Sequence, residues 1–503
     1  MTEQVDPKSC QSSLTCFAVP ASGLGGTNAL SDSGIILLYE VAKAMFKLFG
    51  TKTLLYVENR YRETIDARNN EEETGVYTIS PPTDRLPKRS SEVPVDNESA
   101  NNYLNGMVCP VDWVYSNRKH MISHLRLQSD DHWHNMIVPV VMRIMVAGHE
   151  SSDVATQSPW PTSLLNEAAS YLSADWVVWN APHQKARGFA IARHYLSPAY
   201  VRKLEAKSSF CGESLPPDLR GVMLSDEDVK KRLQTPQDPF RVSFIGRMSG
   251  AKNVPFILDV MQPLFARHGI QMEVVTTGTM AILEGGFKRT NPTDASKNLI
   301  GSIESGGRQG RHVYINDILP RQQCILYASP REGHAAVPRE TAVVGVPTIL
   351  PDRPWVRGTL YDLKYPFIYQ NENEALAMVL KIRDGRVTDE EVAQFNVMRH
   401  DPRVAYFHDM AAQDLHDIAS KLAGNQMRVF RRRSYSRLAE AFEKCVGVGE
   451  QFRWRDLPKM FLKKANVTVG ENQGTYSLMH FYRFLEDRFE CVHPREGIFR
   501  RLK

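Results

Sequence analysis

Two groups of charged residues in the second half of the chain have types and spacings that suit binding chemistry. In FRVSFIGRMSGAKN, Arg247 and Lys252 follow the end of a β-branched and aromatic stretch that predicts a strand. In SPREGHAAVPRE, Glu332 and Glu340 stand eight positions apart on a turn that runs into a predicted helix. Cations at the carboxyl end of a strand suit a diphosphate, since open α/β sheets bind their ligands there. Carboxylates suit vicinal hydroxyls, so the two groups together suggest a nucleotide-sugar site.

This pair of motifs resembles the signature of retaining GT-B glycosyltransferases of the sucrose-synthase-like kind, the family 4-like group. The shared pattern is a strand, Gly-Arg, four residues and Lys, then Ser-Pro-x-Glu with a second Glu eight positions on. The resemblance covers Phe240 to Tyr369 well and the first half of the chain by pattern only. The chain departs from the family where Asn253 replaces a usual Gly, and where His334, Ala335 and Ala336 replace Phe-Gly-Leu.

The resemblance implies a role for each matching side chain. Arg247 and Lys252 would stabilise the departing diphosphate, because preorganised cations act where negative charge develops. Glu332 would lie beside the donor sugar, and Glu340 would hold the ribose hydroxyls of the nucleotide. His149, at the end of VVMRIMVAGHE, would point at the donor sugar from the N-terminal domain. A purely structural histidine is an equal alternative for His149.

A glycine-rich loop near the start of the chain is a further candidate for ligand contact. Leu14 to Pro20 predicts a strand that runs into SGLGGTNALSDSG, and a long helix pattern follows. The loop lacks the GxGxxG fingerprint of dinucleotide sites. The resemblance makes Gly25 and Gly26 the residues that touch donor or acceptor, and a glycine turn without a ligand is the alternative. No tightly bound cofactor and no metal site are predicted, because no His or Cys pair has metal-ligand spacing with a third ligand.

Alternating strand and helix patterns predict an α/β protein with the GT-B architecture, in which two Rossmann-like domains face a cleft. A polar stretch rich in Pro, Ser and Asn predicts a mobile insertion outside the core. A second stretch rich in Pro, Ser and charge predicts a linker. The predicted divisions are an acceptor domain at 1–206 with the insertion at 68–105, the linker at 207–238, a nucleotide-sugar domain at 239–402, a helix crossing back at 403–424, and a basic extension at 425–503.

Composition limits the class of protein. With 503 residues and 42% hydrophobic content the chain suits a soluble protein of several domains. The longest apolar run, Met136 to Gly148, contains an arginine and is too short for a transmembrane segment. The start lacks the basic and apolar regions of a signal peptide, and the seven cysteines include no CxxC. We therefore expect a cytoplasmic protein with reduced cysteines.

Positive charge is concentrated near the C-terminus. The net charge is +5, yet Asn425 to Lys503 alone holds 17 Lys and Arg against 9 Asp and Glu. Aromatic residues are interleaved with the cations between Arg428 and Lys464. This pattern suits phosphate neutralisation with base stacking, and it also suits an amphipathic helix on an anionic membrane or ordinary solvated charge. DNA is accordingly one candidate acceptor.

The function that these features favour is transfer of a hexose, with retention, from a UDP-glucose-like donor to an acceptor hydroxyl. Two alternatives follow from the basic tail: a phage-type DNA glucosyltransferase acting on hydroxymethylated pyrimidines, and a catalytically inactive GT-B protein that binds nucleic acid. A non-hydrolysing sugar-nucleotide epimerase is a third alternative, with a pattern that differs from the paired glutamates.

Overall fold

The structure is a computed structural model, and it describes most of the second half of the chain and selected parts of the first. The described residues are 15–19, 33–57, 62–63, 65–67, 69, 72–79, 113–116, 140–144, 167–168, 170–172, 174–246, 252–276, 299–304, 312–430, 442–453, 456–465, 489–493 and 498–502.

Seven parallel strands form the first sheet, in the order β3-β2-β1-β4-β5-β6-β7. Apolar and aromatic residues dominate these strands, as expected for a parallel sheet that is covered on both faces. The strands are Thr15–Val19 (β1), Lys52–Tyr56 (β2), Val76–Ile79 (β3), Trp113–Ser116 (β4), Val140–Ile144 (β5), Trp176–Trp179 (β6) and Ser208–Phe210 (β7). The helices described in this half are Ser33–Phe49 (α1), Pro182–Tyr195 (α2) and Pro198–Ala206 (α3).

Six parallel strands form the second sheet, in the order β10-β9-β8-β11-β12-β13. The strands are Arg241–Ile245 (β8), Gln271–Thr276 (β9), Leu299–Glu304 (β10), Cys324–Leu326 (β11), Thr348–Pro351 (β12) and Ile368–Tyr369 (β13). Its α-helices are Asp226–Gln234 (α4), Gln262–Arg267 (α5), Ala336–Val344 (α6), Pro354–Thr359 (α7), Glu372–Arg383 (α8) and Asp389–His400 (α9). Short π-helical turns, Phe256–Met261 and Tyr314–Ile318, complete the helical layers.

Two boundaries expected from composition need correction. Within the stretch 68–105, interpreted above as an insertion outside the core, β3 pairs in parallel with β2 and Val76 is buried. Such a short edge strand is hard to see in a polar sequence. The predicted linker 207–238 contains β7, a 3-10 turn at Pro217–Val222, and α4, whose first turn is capped by Ser225. Some of the Ser, Pro and acidic residues that suggested a linker therefore belong to the edge strand β7, to the 3-10 turn and to the capped start of α4. Residues 80–112 lie outside the described part of the chain.

The long helix His408–Phe430 (α10) joins the two halves. Ala411, Ala412, Leu415 and Ala419 are buried in the same apolar cluster as α1 and the first sheet. Small side chains at helical spacing let α10 lie close against α1. The helix thus returns from the second sheet to the first, and it continues beyond the boundary at 424 that the sequence suggested.

Residues after α10 form a third and separate sheet. Its strands are Gln451–Arg453 (β14), Phe489–His493 (β15) and Ile498–Arg501 (β16), antiparallel in the order β14-β16-β15. Phenylalanine rings from these strands form an aromatic cluster, which includes a stacked contact between Phe452 and Phe499. Lys52 of β2 donates a hydrogen bond to the Val492 carbonyl at 3.0 Å, so this sheet contacts the N-terminal half. In the part of the chain that is described, no helix has the length and apolarity to cross a bilayer.

Candidate functional site

Lys252 and Glu332 form an ion pair beyond the carboxyl ends of the central strands of the second sheet. Their side chains are each only 13% exposed. The Tyr327 hydroxyl lies between them: it accepts a hydrogen bond from Lys252 Nζ at 3.0 Å and donates one to Glu332 Oε1 at 2.8 Å. The structure therefore brings together two of the residues that the sequence singled out, with a tyrosine between them that the sequence reasoning missed.

The place of this cluster in the sheet is the one that open α/β sheets use for ligands. Lys252 follows β8 and Glu332 follows β11, and these two strands are neighbours. From β8 the chain continues to β9 and β10 on one side of the sheet, and from β11 it continues to β12 and β13 on the other side. The topological switch point, where the direction of this progression reverses, therefore lies between β8 and β11. Ligands of doubly wound sheets bind in the crevice outside the carboxyl ends of the strands at such a switch point.

Asn253, at the position where the family signature described above has glycine, has a backbone conformation that glycine usually adopts. Its φ angle is 54°, which lies in the left-handed region where glycine is the usual residue. Asparagine is among the few other residues that adopt this conformation at modest cost. The backbone after Lys252 thus keeps the turn that a glycine would give.

The loop between β11 and α6 is held by aromatic side chains. Trp355 Nε1 donates to the Ser329 carbonyl at 3.1 Å, and the Tyr369 hydroxyl donates to the Tyr327 carbonyl at 3.2 Å. Hydrogen bonds of this kind satisfy buried backbone carbonyls that belong to no ladder. We call residues 329–335 the donor loop. The first residue of this loop, Ser329, is held by Trp355 of the C-terminal half.

Glu340 lies deeper, on α6, and is 5% exposed. The Tyr314 hydroxyl donates a hydrogen bond to Glu340 Oε2 at 3.0 Å. A carboxylate offers about four acceptor positions, and the Tyr314 hydroxyl uses one of them. Tyr314 belongs to a segment with no recognisable motif, so sequence reasoning missed it.

A third carboxyl group, Glu213, lies on the segment that joins the two halves. Burial raises its pKa, and the charges of Glu332 and Glu340 raise it further, while Arg143 and Arg339 oppose the shift. These influences place Glu213 within electrostatic range of both motif glutamates. No motif marks Glu213 in the sequence, because its position becomes meaningful only when the two halves meet.

Two buried arginines hold the joining segment from opposite sides. Arg143 of β5 donates from Nη2 to the Gly212 carbonyl at 2.6 Å, and Arg339 of α6 donates from Nη1 to the Glu213 carbonyl. Arg339 also donates to the Val404 carbonyl at 2.8 Å. The joining segment is thus clamped between the N-terminal and C-terminal halves, next to the glutamates.

His334, at the position where the family signature described above has phenylalanine, makes a contact that phenylalanine cannot make. Its Nδ1 accepts a hydrogen bond from the Glu213 backbone N–H at 3.1 Å, so the proton of the neutral ring is on Nε2. Burial lowers the pKa of His334 well below its usual value, and the charges of Arg339, His183 and Arg143 lower it further. Folding therefore favours the neutral form of His334.

This depressed pKa has a measurable consequence for stability. Below about pH 6.5 the unfolded chain binds a proton on this histidine that the folded chain does not bind, so stability falls as the pH falls. The loss approaches about 1.4 kcal/mol per pH unit for one such group. We expect His334→Asn, which keeps an acceptor but does not titrate, to lose less stability than the wild type between pH 7.5 and 5.5. Denaturant titrations at both pH values measure this, and parallel losses in the two proteins would refute it.

The remaining residues selected from sequence cannot be placed. Arg247, His149, Gly25 and Gly26 lie outside the described residues. Within the residues that are described, no group of three or more His, Cys, Asp or Glu side chains could hold a metal ion. Asp226 and Asp228 lie in the first turn of α4, where acidic residues interact favourably with the helix dipole.

Two parallel doubly wound sheets, joined by a clamped segment and by a helix that returns to the first sheet, define the GT-B fold. The fold predicted from sequence is therefore confirmed.

Known structures share this fold, although their sequences have diverged. Sucrose-phosphate synthase from Thermosynechococcus elongatus is similar over 82% of this chain and 100% of its own, with a TM-score of 0.55 and 13% identity. HepE of Anabaena in complex with UDP is similar over 81% and 100%, with a TM-score of 0.50 and 12% identity. UGT89C1 of Arabidopsis thaliana in complex with UDP-L-rhamnose is similar over 82% and 100%, with a TM-score of 0.51 and 11% identity. No protein-family model and no curated protein sequence matches the chain.

Proposed function

We propose that this protein is a glycosyltransferase that moves a hexose from a nucleoside-diphosphate sugar to an acceptor hydroxyl with retention of configuration. The observation that carries the proposal is the pairing of Lys252 with Glu332 at the switch point of the second sheet, with Glu340 on the helix that follows the same loop. The solved structures of similar fold support it, since two of them were determined with UDP or a UDP-sugar bound.

The contact between Lys252 and Glu332 suits one particular point of a donor molecule. In a nucleotide sugar the anomeric carbon is bonded directly to an oxygen of the terminal phosphate, so sugar and diphosphate meet at a single bond. A cation for the phosphate and a carboxylate for a sugar hydroxyl must then lie side by side, as Lys252 and Glu332 do. Glu340, buried further along α6, is assigned to the ribose hydroxyls.

The proposed reaction needs no nucleophile from the protein. The acceptor hydroxyl attacks the anomeric carbon on the face from which the diphosphate leaves. One C–O bond forms, the C–O bond to the diphosphate breaks, and a phosphate oxygen takes the hydroxyl proton. Lys252, and Arg247 by resemblance, stabilise the negative charge that develops on the diphosphate. His149, Gly25 and Gly26 would face the sugar or the acceptor from the N-terminal domain.

A ligand screen followed by a turnover assay tests this proposal. We expect one nucleoside diphosphate and its matching sugar donor, among UDP-glucose, GDP-mannose and ADP-glucose, to raise the melting temperature. A ligand at 100 times its Kd stabilises a protein by about 2.7 kcal/mol, which such a melting experiment resolves. Slow release of nucleoside diphosphate without an acceptor should follow for the same donor. Absence of both stabilisation and release for every donor would refute the proposal.

The position of the third sheet favours a second candidate function, in which DNA is the acceptor of the sugar. That sheet lies against the N-terminal half, through the hydrogen bond from Lys52 to Val492 and a ring contact between Tyr77 and His493. Arg453 and Lys463 are exposed on the described part of the extension. Cations beside the acceptor domain suit a polyanionic acceptor. Label from a radioactive sugar donor appearing in hydroxymethylated DNA, but not in unmodified DNA, would support this candidate. DNA binding without any donor binding would instead support the inactive nucleic-acid-binding alternative.

A further inference from the structure

Three successive residues of the donor loop are contacted from outside their own domain. His183 Nε2 lies 3.4 Å from the Glu332 carbonyl, and Gln184 Nε2 donates to the Gly333 carbonyl at 3.2 Å. The next residue, His334, accepts from the Glu213 N–H of the joining segment at 3.1 Å. The backbone at Glu332 and Gly333 is therefore contacted by the start of α2, in the N-terminal half.

The two residues at the start of α2 are fixed in place. Gln184 is fully buried. His183 lies so close to Gly358 of α7 that a Cβ added there would be 1.8 Å from its Nδ1. A glycine is required at that point because the imidazole occupies the space of a side chain. The contact between α2 and α7 thus holds His183 and Gln184 against the donor loop.

Glu340 is held differently. Its described hydrogen-bond donor, Tyr314, belongs to the same half of the protein, and Glu340 lies on the regular helix α6. The carboxylate of Glu332 is also contacted from its own half, by Lys252 and Tyr327, while its backbone depends on α2. The two motif glutamates therefore differ in how strongly their position depends on the N-terminal half.

We propose that His183 and Gln184 are positioning residues for the sugar end of the donor site. This inference rests on the proposed function, and it adds that α2 of the N-terminal half positions the backbone of Glu332, whereas the hydrogen bond from Tyr314 to Glu340 comes from the C-terminal half. Loss of the α2 contacts weakens recognition of the sugar and leaves recognition of the nucleotide intact. A displacement of the reacting groups by about 1 Å is enough to lower turnover by a large factor.

The test compares the affinity for the nucleoside diphosphate with kcat/KM for hydrolysis of the nucleotide sugar. Gln184→Leu keeps the buried volume and removes the donor to the Gly333 carbonyl. We expect the Kd for the nucleoside diphosphate to stay within about twofold, and kcat/KM for hydrolysis of the nucleotide sugar to fall about 3- to 10-fold, which is the range of one hydrogen bond. His183→Ala removes the contact to the Glu332 carbonyl. It should change the ratio of kcat/KM for the nucleotide sugar to the affinity for the nucleoside diphosphate in the same direction.

A matched control lies on the same helix. Arg193 is exposed near the end of α2, and Arg193→Ala should leave both values unchanged. General destabilisation would weaken diphosphate and sugar binding together, so the ratio separates positioning from folding. An unchanged ratio in both Gln184→Leu and His183→Ala, with a wild type that binds and turns over its donor, would overturn this inference alone. A wild type that binds no nucleoside diphosphate or nucleotide sugar would overturn the proposed function and this inference with it.

Discussion

Replacing Lys252 by methionine lowers donor turnover by about 100- to 1,000-fold, the usual effect of removing one preorganised group that stabilises charge in a transition state. Methionine keeps the apolar stem of the side chain and removes the ammonium that pairs with Glu332. The effect should fall on kcat more than on KM, because negative charge on the diphosphate grows as the bond to the sugar breaks. Release of nucleoside diphosphate, measured over a range of donor concentrations, gives both constants.

A second lysine serves as the control for this result. Lys230, on α4, forms a surface ion pair with Asp389 and is 46% exposed. Surface pairs contribute little to stability, so Lys230→Met should leave both turnover and melting temperature near the wild-type values. A Lys252→Met protein that melts like the wild type and retains more than about a tenth of its turnover would contradict the assigned role, since the expected loss is far larger.

Replacing Glu340 by glutamine weakens binding of the nucleoside diphosphate by about 10- to 100-fold, because hydrogen bonds to a charged acceptor contribute about 1.5–3 kcal/mol. Glutamine keeps the shape of the side chain and removes the charge that ribose hydroxyls would donate to. Calorimetric titration with the diphosphate measures the change directly.

Tyr314 provides the comparison for Glu340. Tyr314→Phe removes the hydroxyl that donates to Glu340 Oε2 and leaves the carboxylate in place. We expect this variant to weaken diphosphate binding by less than Glu340→Gln does, because only the orientation of the carboxylate is affected. Equal and large losses in both variants would indicate a folding defect. No loss in Glu340→Gln would exclude Glu340 from the nucleotide site.

The alternation of strands and helices was enough to predict the two parallel sheets, because a strand buried on both faces has a nearly continuous apolar sequence. Elements at the margins were harder to predict. The strand β3 is short, lies at the edge of its sheet and stands in a polar stretch, so composition predicted an insertion instead. The helix α4 was hidden in a predicted linker because its first turn is Asp-Glu-Asp after a capping serine, a composition that also suits a loop.

At the candidate site, the sequence identified the residues that belong to motifs and missed the residues that support them. Lys252, Glu332 and Glu340 were selected because their types suit a diphosphate and sugar hydroxyls and because their spacing resembles a family signature. Tyr327 was hidden inside an apolar strand pattern, and its hydroxyl gains meaning only from its two partners. Residues His183, Gln184 and Glu213 become neighbours of the donor loop only when the two halves fold together, and sequence spacing carries no information about that contact.

A crystal structure of the protein with its nucleotide-sugar donor bound tests the central claim most directly. We expect the ribose hydroxyls within about 2.5–3.2 Å of the Glu340 carboxylate and the diphosphate beside Lys252, at hydrogen-bonding distances. The sugar should lie against Glu332, outside the ends of β8 and β11. A donor bound at any other edge of the two sheets, with Lys252 and Glu332 still paired to each other and Glu340 not in contact with the ligand, would contradict the account.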